Sequence, residues 1–231
     1  MDNLEQIFNI NIENAELFKK ALTHPSYTKE HEMDYTESYE RLEFLGDAVL
    51  KLAVSDILYK KYPDYTEGSM AKIRSVIVSD AVLFEVAEKI GLSELIILGK
   101  HEEKQGCRKL ESVCACAFEA VLGAYYLDGK FSELIEFINR IFLPYIQEVD
   151  KNFEKYNAKA LLQEYTQSKT KTIPEYRVIN ETGPAHNKTF EVEVWYEGKL
   201  IASASGKSKK DAEQKCAYEA CKKLGIAECQ K

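Results

Sequence analysis

Acidic residues recur at helical spacing in one short stretch of the chain. Glu40, Glu43 and Asp47 stand at positions i, i+3 and i+7, so a helix would carry their carboxylates on one face. The apolar residues between them have the same period, which predicts a helix over residues 40–59. Carboxylate oxygens are the ligands that Mg²⁺ prefers, and Mg²⁺ brings phosphate groups with it. The pattern indicates a metal site for phosphate chemistry, and a solvated acidic stripe is the plain alternative.

A further acidic position lies inside an apolar segment. The spacing over residues 112–126 predicts a helix that is apolar on most sides, yet Glu119 stands in its middle. A carboxylate in such surroundings is unusual unless it is paired or bound to a cation. Alone, Glu119 would more often be a surface residue. Taken together with the first acidic cluster, it is better interpreted as a metal ligand.

The charge of the chain is divided unevenly along its length. The 231 residues carry a net charge of −7, but residues 1–157 hold 18 Lys and Arg against 28 Asp and Glu, whereas residues 158–231 hold 13 against 10. Attraction to phosphate is local, so a basic face on the smaller part is enough to bind a nucleic acid. The acidic part needs metal ions before it can approach phosphate.

Composition favours a globular cytoplasmic protein. The apolar fraction of 45% is ordinary for a packed core. The six cysteines follow no secreted disulfide pattern, residues 1–11 lack the apolar core of a signal peptide, and no run of 18 apolar residues exists. We therefore expect a reducing cytoplasmic setting, no membrane span and no membrane partner.

Two kinds of periodicity divide the chain. Helical spacing covers residues 17–22, 40–59, 69–90, 112–126 and 131–149. Pro144 is expected to bend or break the last of these helices. We interpret residues 1–152 as an all-α bundle. Residues 151–157 are polar and connect this bundle to the second part of the chain. Within this connector, residues 153–157 are the predicted linker.

Beyond the linker the period becomes that of strands. A helix is predicted over residues 159–167, and alternation predicts strands over 175–180, 189–196 and 199–205. A last helix is predicted from its N-cap Ser208 to Leu224, before Gly225. The order α-β-β-β-α describes an α+β module at residues 158–226, with a tail at 227–231.

Four motifs make the first part specific. Residues 1 to about 150 resemble the catalytic domain of ribonuclease III in residues 21–27 (Ala-Leu-Thr-His-Pro-Ser-Tyr), 40–50 (Glu-Arg-Leu-Glu-Phe-Leu-Gly-Asp-Ala-Val-Leu), 68–74 (Gly-Ser-Met-Ala-Lys-Ile-Arg) and 117–120 (Ala-Phe-Glu-Ala). The resemblance implies hydrolysis of double-stranded RNA with Mg²⁺, for which Mn²⁺ is a possible substitute. The products implied are 5′-phosphate and 3′-hydroxyl ends. No small-molecule organic cofactor is expected.

The resemblance also implies roles for single residues. Glu43, Asp47 and Glu119 would be metal ligands, and Asp47 and Glu119 would also be catalytic. Glu40 and Glu67 match acidic positions that the family uses nearer the substrate or a second metal ion.

Phe44 matches an aromatic residue that fills a pocket on the partner subunit, which implies a homodimer. The alternative for Phe44 is an ordinary core position.

Cys116 departs from the family pattern, which usually has an Asp there. Because Cys116 and Glu119 are i and i+3, both should lie on the catalytic face of one helix. A thiol is a poor Mg²⁺ ligand. We expect an active centre with weaker Mg²⁺ binding than an Asp at this position would give. A packed, neutral cysteine is the favoured interpretation, and a thiophilic ion held by Cys116 is the alternative.

Residues 158–226 resemble a double-stranded RNA-binding domain, which reads the shape of an A-form duplex. The resemblance implies minor-groove contacts by Gln163 and Glu164 and by His186 in the loop Gly-Pro-Ala-His-Asn at 183–187. Lys209 and Lys210, at a helix start, would meet phosphates.

The expected function is therefore processing of structured RNAs, above all ribosomal RNA precursors, with transfer and messenger RNAs as further substrates. One alternative is a non-cleaving double-stranded RNA-binding protein whose site is attenuated by Cys116. Another is a hydrolase of a different phosphodiester, which the RNA-binding module disfavours.

Overall fold

The computed structural model describes residues 2–183 and 188–226 of the chain. It divides into two compact units, residues 1–148 and 149–231. His186 and the predicted tail at 227–231 lie outside the described residues. The domain limits at residues 152 and 158 stay predictions.

The first unit is helical, as the periodicity predicted. Its helices are α1 (Asp2–Phe8), α2 (Ala15–Ala21), α3 (Pro25–Glu30), α4 (Glu40–Lys61), α5 (Glu67–Ile77), α6 (Asp80–Ile90), α7 (Lys100–Lys104), α8 (Glu111–Leu127) and α9 (Phe131–Lys151). Short 3₁₀ turns occur at Tyr35–Glu37, Ser93–Leu95 and Cys107–Lys109.

Helix α8 is the centre of this unit. Between Val113 and Tyr125 every residue is buried except Cys116 and Glu119, which are partly exposed. Aromatic rings from the N-terminal helices pack against its far end, where the ring of Phe18 meets that of Tyr125 at a centroid distance of 4.5 Å. A helix buried on nearly all sides is held rigidly, and the two exceptions mark the one face of α8 that reaches the surface.

One predicted helix was wrong, and of the two effects expected of Pro144, a bend or a break, the break does not occur. The segment 69–90 is not one helix, because Ser79 has extended backbone angles (φ −78°, ψ 148°) and separates α5 from α6. Pro144 does not break α9. Proline removes one backbone hydrogen bond, and the buried side chains of Phe142 and Ile146 on either side of it keep the helix packed on the core.

The second unit has the predicted order of elements. It consists of α10 (Phe153–Thr170), β1 (Glu175–Thr182), β2 (Thr189–Tyr196), β3 (Lys199–Gly206) and α11 (Lys209–Leu224). The strands form an antiparallel sheet in the order β1-β2-β3. Buried residues of the sheet and of both helices form one core. The residues that α11 contributes to this core are small, such as Ala212, Cys216 and Ala220. The small side chains allow this helix to lie close to the sheet.

The predicted start of the first helix in this unit was wrong. Residues 153–157 belong to the first turns of α10, which begins six residues before the predicted start at Lys159. The amide of Lys155 donates to the carbonyl of Asn152, and Gln214 of α11 donates to the carbonyl of Lys155 at 2.8 Å. These contacts extend the helix over polar residues that local periodicity left unassigned.

Within residues 2–183 and 188–226, none of the helices combines the length and the apolar character that crossing a bilayer requires.

Candidate active site

Helices α4 and α8 cross with their backbones in direct contact. A Cβ atom added to Gly46 would lie 1.7 Å from the carbonyl oxygen of Glu119, and one added to Gly123 would lie 2.3 Å from the carbonyl oxygen of Leu42. Only glycine allows this approach. Because Asp47 follows Gly46 directly, the crossing carries the acidic face of α4 to the exposed face of α8.

Three predicted ligands meet at this crossing. Glu43, Asp47 and Glu119 are all partly buried. The pKa of Glu119 is raised to about 8, first by burial and then by the neighbouring charges of Asp47, Glu43 and Asp80. Lys51 opposes this effect. The centre therefore carries more negative charge than its own cations neutralise.

Lys51 is bound directly to one of the acids of the centre. Lys51 Nζ donates to the carboxylate of Asp47 at 2.7 Å, one turn along α4. Both side chains are substantially exposed, so this ion pair contributes little to stability. The pair engages only Oδ2 of the Asp47 carboxylate.

Cys116 lies in the same centre, as its spacing from Glu119 predicted. Its thiol lies beside Glu43, and burial first, then the interaction with Glu43 and the charge of Glu119, raises its pKa to about 12. The sulfur is therefore a protonated, neutral group among acids. Cys114, two residues away, is buried elsewhere and donates to the carbonyl of Arg108 at 3.1 Å.

Two residues near the centre were not predicted from the sequence. Tyr39, buried at the start of α4, has its pKa raised by burial and by Cys116 and Glu43. Asp80, at the start of α6, perturbs both Glu119 and Cys116. The position of Tyr39 directly before the acidic motif was a signal from which its place near the centre could have been predicted. Asp80 gave none, because it comes from a third helix.

The two additional acids are placed differently from each other. Glu40 is exposed, but its charge acts on both Tyr39 and His24, which puts it at the edge of the centre. Glu67 lines another pocket, of about 340 Å³ between α4 and α5, where Arg74 donates to Ser55 at 2.7 Å. The lining of that pocket contains none of the three converging acids.

The donor atoms fit a hard divalent cation only in part. The three carboxylates offer oxygens, and the pKa of Glu119 is raised first by burial and then by three neighbouring acids, an effect that a bound cation would oppose. Cys116 does not fit Mg²⁺, because a thiol is a soft ligand. As the side chains are placed, no three His, Cys, Asp or Glu groups of residues 2–183 and 188–226 already enclose a metal position.

Phe44 is 83% exposed, so the core alternative for it was wrong. Leu52 and Tyr59 are exposed on the same side of α4. Together these three side chains form an apolar stripe beside the acidic face of the helix.

The second unit carries the predicted nucleic-acid contacts on its surface. Gln163 and Glu164 are exposed on α10, and Lys209 and Lys210 are exposed at the start of α11. The Oγ of Ser208 accepts from the amide of Asp211 at 3.1 Å and caps that helix. The positive end of α11 thus lies beside its two lysines.

Comparisons with known proteins match both units. The family model described as Ribonuclease-III-like matches residues 14–146, and the one described as Double-stranded RNA binding motif matches residues 158–224. A protein named Ribonuclease 3 from Listeria monocytogenes is 42% identical over 96% of this chain and 97% of its own. One of the same name from Bacillus licheniformis is 41% identical over 95% of this chain and 88% of its own.

Solved structures agree with these matches. The nuclease domain of ribonuclease III from Campylobacter jejuni is 32% identical, with a TM-score of 0.56, over 61% of this chain and 97% of that chain. Both units, their order and their lengths are therefore those of one kind of enzyme. The chain belongs to the ribonuclease III family.

Proposed function

We propose that this chain is an endoribonuclease specific for double-stranded RNA that hydrolyses phosphodiester bonds with Mg²⁺ held by Glu43, Asp47 and Glu119. Mn²⁺ is a possible substitute, and the products are 5′-phosphate and 3′-hydroxyl ends. The observation that carries the proposal is the convergence of these three carboxylates where Gly46 lets α4 touch α8.

Each residue of the centre has its own part in the reaction. Glu43 and Asp47 would hold and orient the cation, and Lys51, which donates to Oδ2 of Asp47, would compete with it for that carboxylate. Burial and the neighbouring acids raise the pKa of Glu119 to about 8, so its carboxyl is largely protonated at neutral pH without a cation, and a bound cation would favour its ionised form. When bound, a divalent cation neutralises charge on the phosphate and makes water more acidic. Cys116 lies beside Glu43 as a protonated thiol and adds no charge, because its pKa is about 12.

The second unit supplies affinity for the duplex. Gln163 and Glu164 of α10 would contact one minor groove, and Lys209 and Lys210 would meet the phosphates beyond it. Glu213, which faces the same helix start, is already paired with Lys159 at 2.6 Å, so its charge is partly compensated.

The active form is proposed to be a homodimer. The apolar stripe of Phe44, Leu52 and Tyr59 is exposed in the single chain, and exposed apolar surface of this kind is typical of an interface. The Campylobacter jejuni nuclease domain has a region involved in dimer formation, which supports the same arrangement here.

The cellular substrates are proposed to be ribosomal RNA precursors, together with structured transfer and messenger RNAs, in a reducing cytoplasm. The similarity to proteins named Ribonuclease 3 supports this assignment. Cys107, Cys114, Cys116, Cys216 and Cys221 are all free thiols, which is consistent with such a compartment.

The test is cleavage of end-labelled double-stranded RNA by the full chain with Mg²⁺. We expect the native chain to cut and Glu119→Gln to bind the RNA without cutting it. Product ends are read by their susceptibility to a phosphatase and a 5′-phosphate-dependent exonuclease. If the native chain binds but only Cys116→Asp cuts, the natural protein is a non-cleaving RNA-binding protein and the proposal fails.

A further inference from the structure

An acidic residue stands among the lysines of the proposed RNA-binding face. Glu181 lies near the end of β1, and Lys188 precedes β2. The ammonium group of Lys188 donates to the carboxylate of Glu181, which forms an ion pair across the two strand ends. Their side chains are 41% and 40% exposed, so both groups remain accessible to a ligand.

Lys209 belongs to the same cluster. Its ammonium group lies over the ring of Phe190, 5.7 Å from the ring centroid. Phe190 is the direct cross-strand partner of Glu181. The pKa of Glu181 is lowered mainly by Lys188 and also by Lys209. The carboxylate is therefore paired with Lys188 and lies near a second ammonium group, that of Lys209, which is a proposed phosphate contact.

We propose that Glu181 is an internal counter-ion of the RNA-binding face, which pairs with Lys188 and offsets the charge of Lys209 until phosphates of the duplex replace it. This inference rests on the proposed function, because it requires that Lys209 meets phosphate. It also assigns Glu181 a part in the selectivity for duplex RNA. Any other polyanion that binds Lys188 and Lys209 must displace the same carboxylate, but it does not make the remaining contacts of the face, which would offset the lost ion pair.

Two physical consequences follow from such an exchange. An exposed ion pair is weak, so the duplex can break it at little cost. The carboxylate left behind repels nearby phosphates and attracts a cation from solution, which reduces the net number of ions released on binding. Since the salt dependence of affinity reports that number, Glu181 should make binding both weaker and less sensitive to salt.

Strand β1 provides a matched control at its opposite end. Glu175 pairs with Arg177 at 2.8 Å and is six residues away from Glu181, roughly 20 Å along an extended strand. This exceeds the screening length of about 10 Å at 0.1 M salt. Glu175→Gln changes the net charge as much as Glu181→Gln does, but not beside these lysines.

The experiment measures binding of the full chain to a short fluorescent RNA duplex, in EDTA to prevent cleavage, over a series of salt concentrations. At low salt Glu181→Gln should bind roughly three- to tenfold more tightly, and its plot of log affinity against log salt should be steeper by about 0.5 to 1 unit. Glu175→Gln should match the native chain in both respects. In the background Lys188→Gln, the effect of Glu181→Gln should be at least halved.

Unchanged or weaker binding by Glu181→Gln, with an unchanged salt slope, overturns the inference, because Glu181 would then only hold the strand ends together. An equal gain in Glu175→Gln also overturns it, because the effect would then be one of net charge. The variant Lys209→Gln distinguishes a failure of the proposed RNA-binding face from a failure of the counter-ion inference alone. If that change leaves duplex binding intact, the proposed RNA-binding face itself is wrong; if it weakens binding while Glu181→Gln has no effect, only the counter-ion inference fails.

Discussion

Gly46 of α4 faces the backbone of Glu119 in α8 so closely that a Cβ atom at residue 46 would lie 1.7 Å from the Glu119 carbonyl oxygen. The distance between the two helices is therefore set by a missing side chain. Asp47 and Glu43 gain their position opposite Glu119 from this contact, and the raised pKa of Glu119 is its electrostatic result.

Gly46→Ala should separate the two helices or unfold their crossing. The added methyl group would overlap a backbone atom that cannot rotate away, so we expect the free energy of unfolding to fall by about 3 kcal/mol and cleavage to be lost. Urea denaturation of the full chain measures the first effect. Gly68→Ala is the control, because the nearest atom to its Cβ is Thr66 Oγ1 at 3.9 Å. It should change stability by less than about 1 kcal/mol. Equal effects of the two changes would contradict the packing argument.

Cys116→Asp should tighten Mg²⁺ binding by about tenfold, because it replaces a neutral thiol with an oxygen ligand beside Glu43 and Glu119. Without metal, the same change should lower the melting temperature, since it adds a fourth acid to an already anionic centre. Calorimetric titration with Mg²⁺ and thermal unfolding in EDTA measure the two effects. Cys116→Ser, which adds no charge, should show neither. Identical Mg²⁺ midpoints for the native chain and Cys116→Asp would contradict the predicted effect of residue 116 on Mg²⁺ binding.

The metal-free protein should lose stability as the pH rises from about 4.5 to about 8. The pKa of Glu119 is about 8 in the folded chain against an ordinary value of 4.5. Below 4.5 the carboxyl is protonated in both states, and its full contribution is present. Above that pH the unfolded chain ionises first, so folding is progressively disfavoured until the folded pKa is passed.

This loss should amount to about 1–3 kcal/mol, because the group is only partly buried and is screened by water. Urea unfolding in EDTA across the pH range measures it. Glu119→Gln should flatten the profile over this window, whereas Glu111→Gln, an exposed acid at the start of the same helix, should not. An unchanged profile in Glu119→Gln would show that another group titrates there. Saturating Mg²⁺ should reduce the loss in the native chain.

Lys209→Ala combined with Lys210→Ala should weaken duplex binding by similar factors for RNAs of different sequence. Phosphate contacts carry no sequence information, and losing two of them should lower the salt slope by about 1 to 2 units. Fluorescence titration at several salt concentrations gives both values. Lys222→Ala with Lys223→Ala, at the far end of α11, is the control with equal charge. Equal losses in the two double variants would argue against a site at the helix start.

Phe44→Ala should weaken self-association and leave the fold of each chain intact. Phe44 is 83% exposed, so its removal costs little packing within one chain, whereas a central aromatic residue of an interface contributes strongly to binding. We expect the dimer dissociation constant, measured by sedimentation, to rise at least about tenfold. Tyr35→Ala, whose side chain is 74% exposed, should have no such effect. An unchanged dissociation constant in Phe44→Ala would remove this residue from the interface.

Much of the local structure was predictable because its signals are local. The helix over 40–59 was confirmed because the apolar period and the charges within a few turns agree. Ser208 as N-cap and Gly225 as helix end were confirmed because each acts on backbone groups three or four residues away. The alternation of polar and apolar residues was equally sufficient to predict strand β2, since Val192 and Val194 are buried between exposed or partly exposed neighbours.

The sequence alone determined which acids share a helical face and which module each half of the chain forms. The tertiary structure decided how close those acids come to one another. In the sequence Gly46 is only a weak helix former; its role depends on Glu119, 73 residues away, and on the reciprocal contact of Gly123 with Leu42. The break at Ser79, the exposure of Phe44 and the charge of Asp80 near the centre depend likewise on packing between distant helices, which periodicity within one helix does not encode.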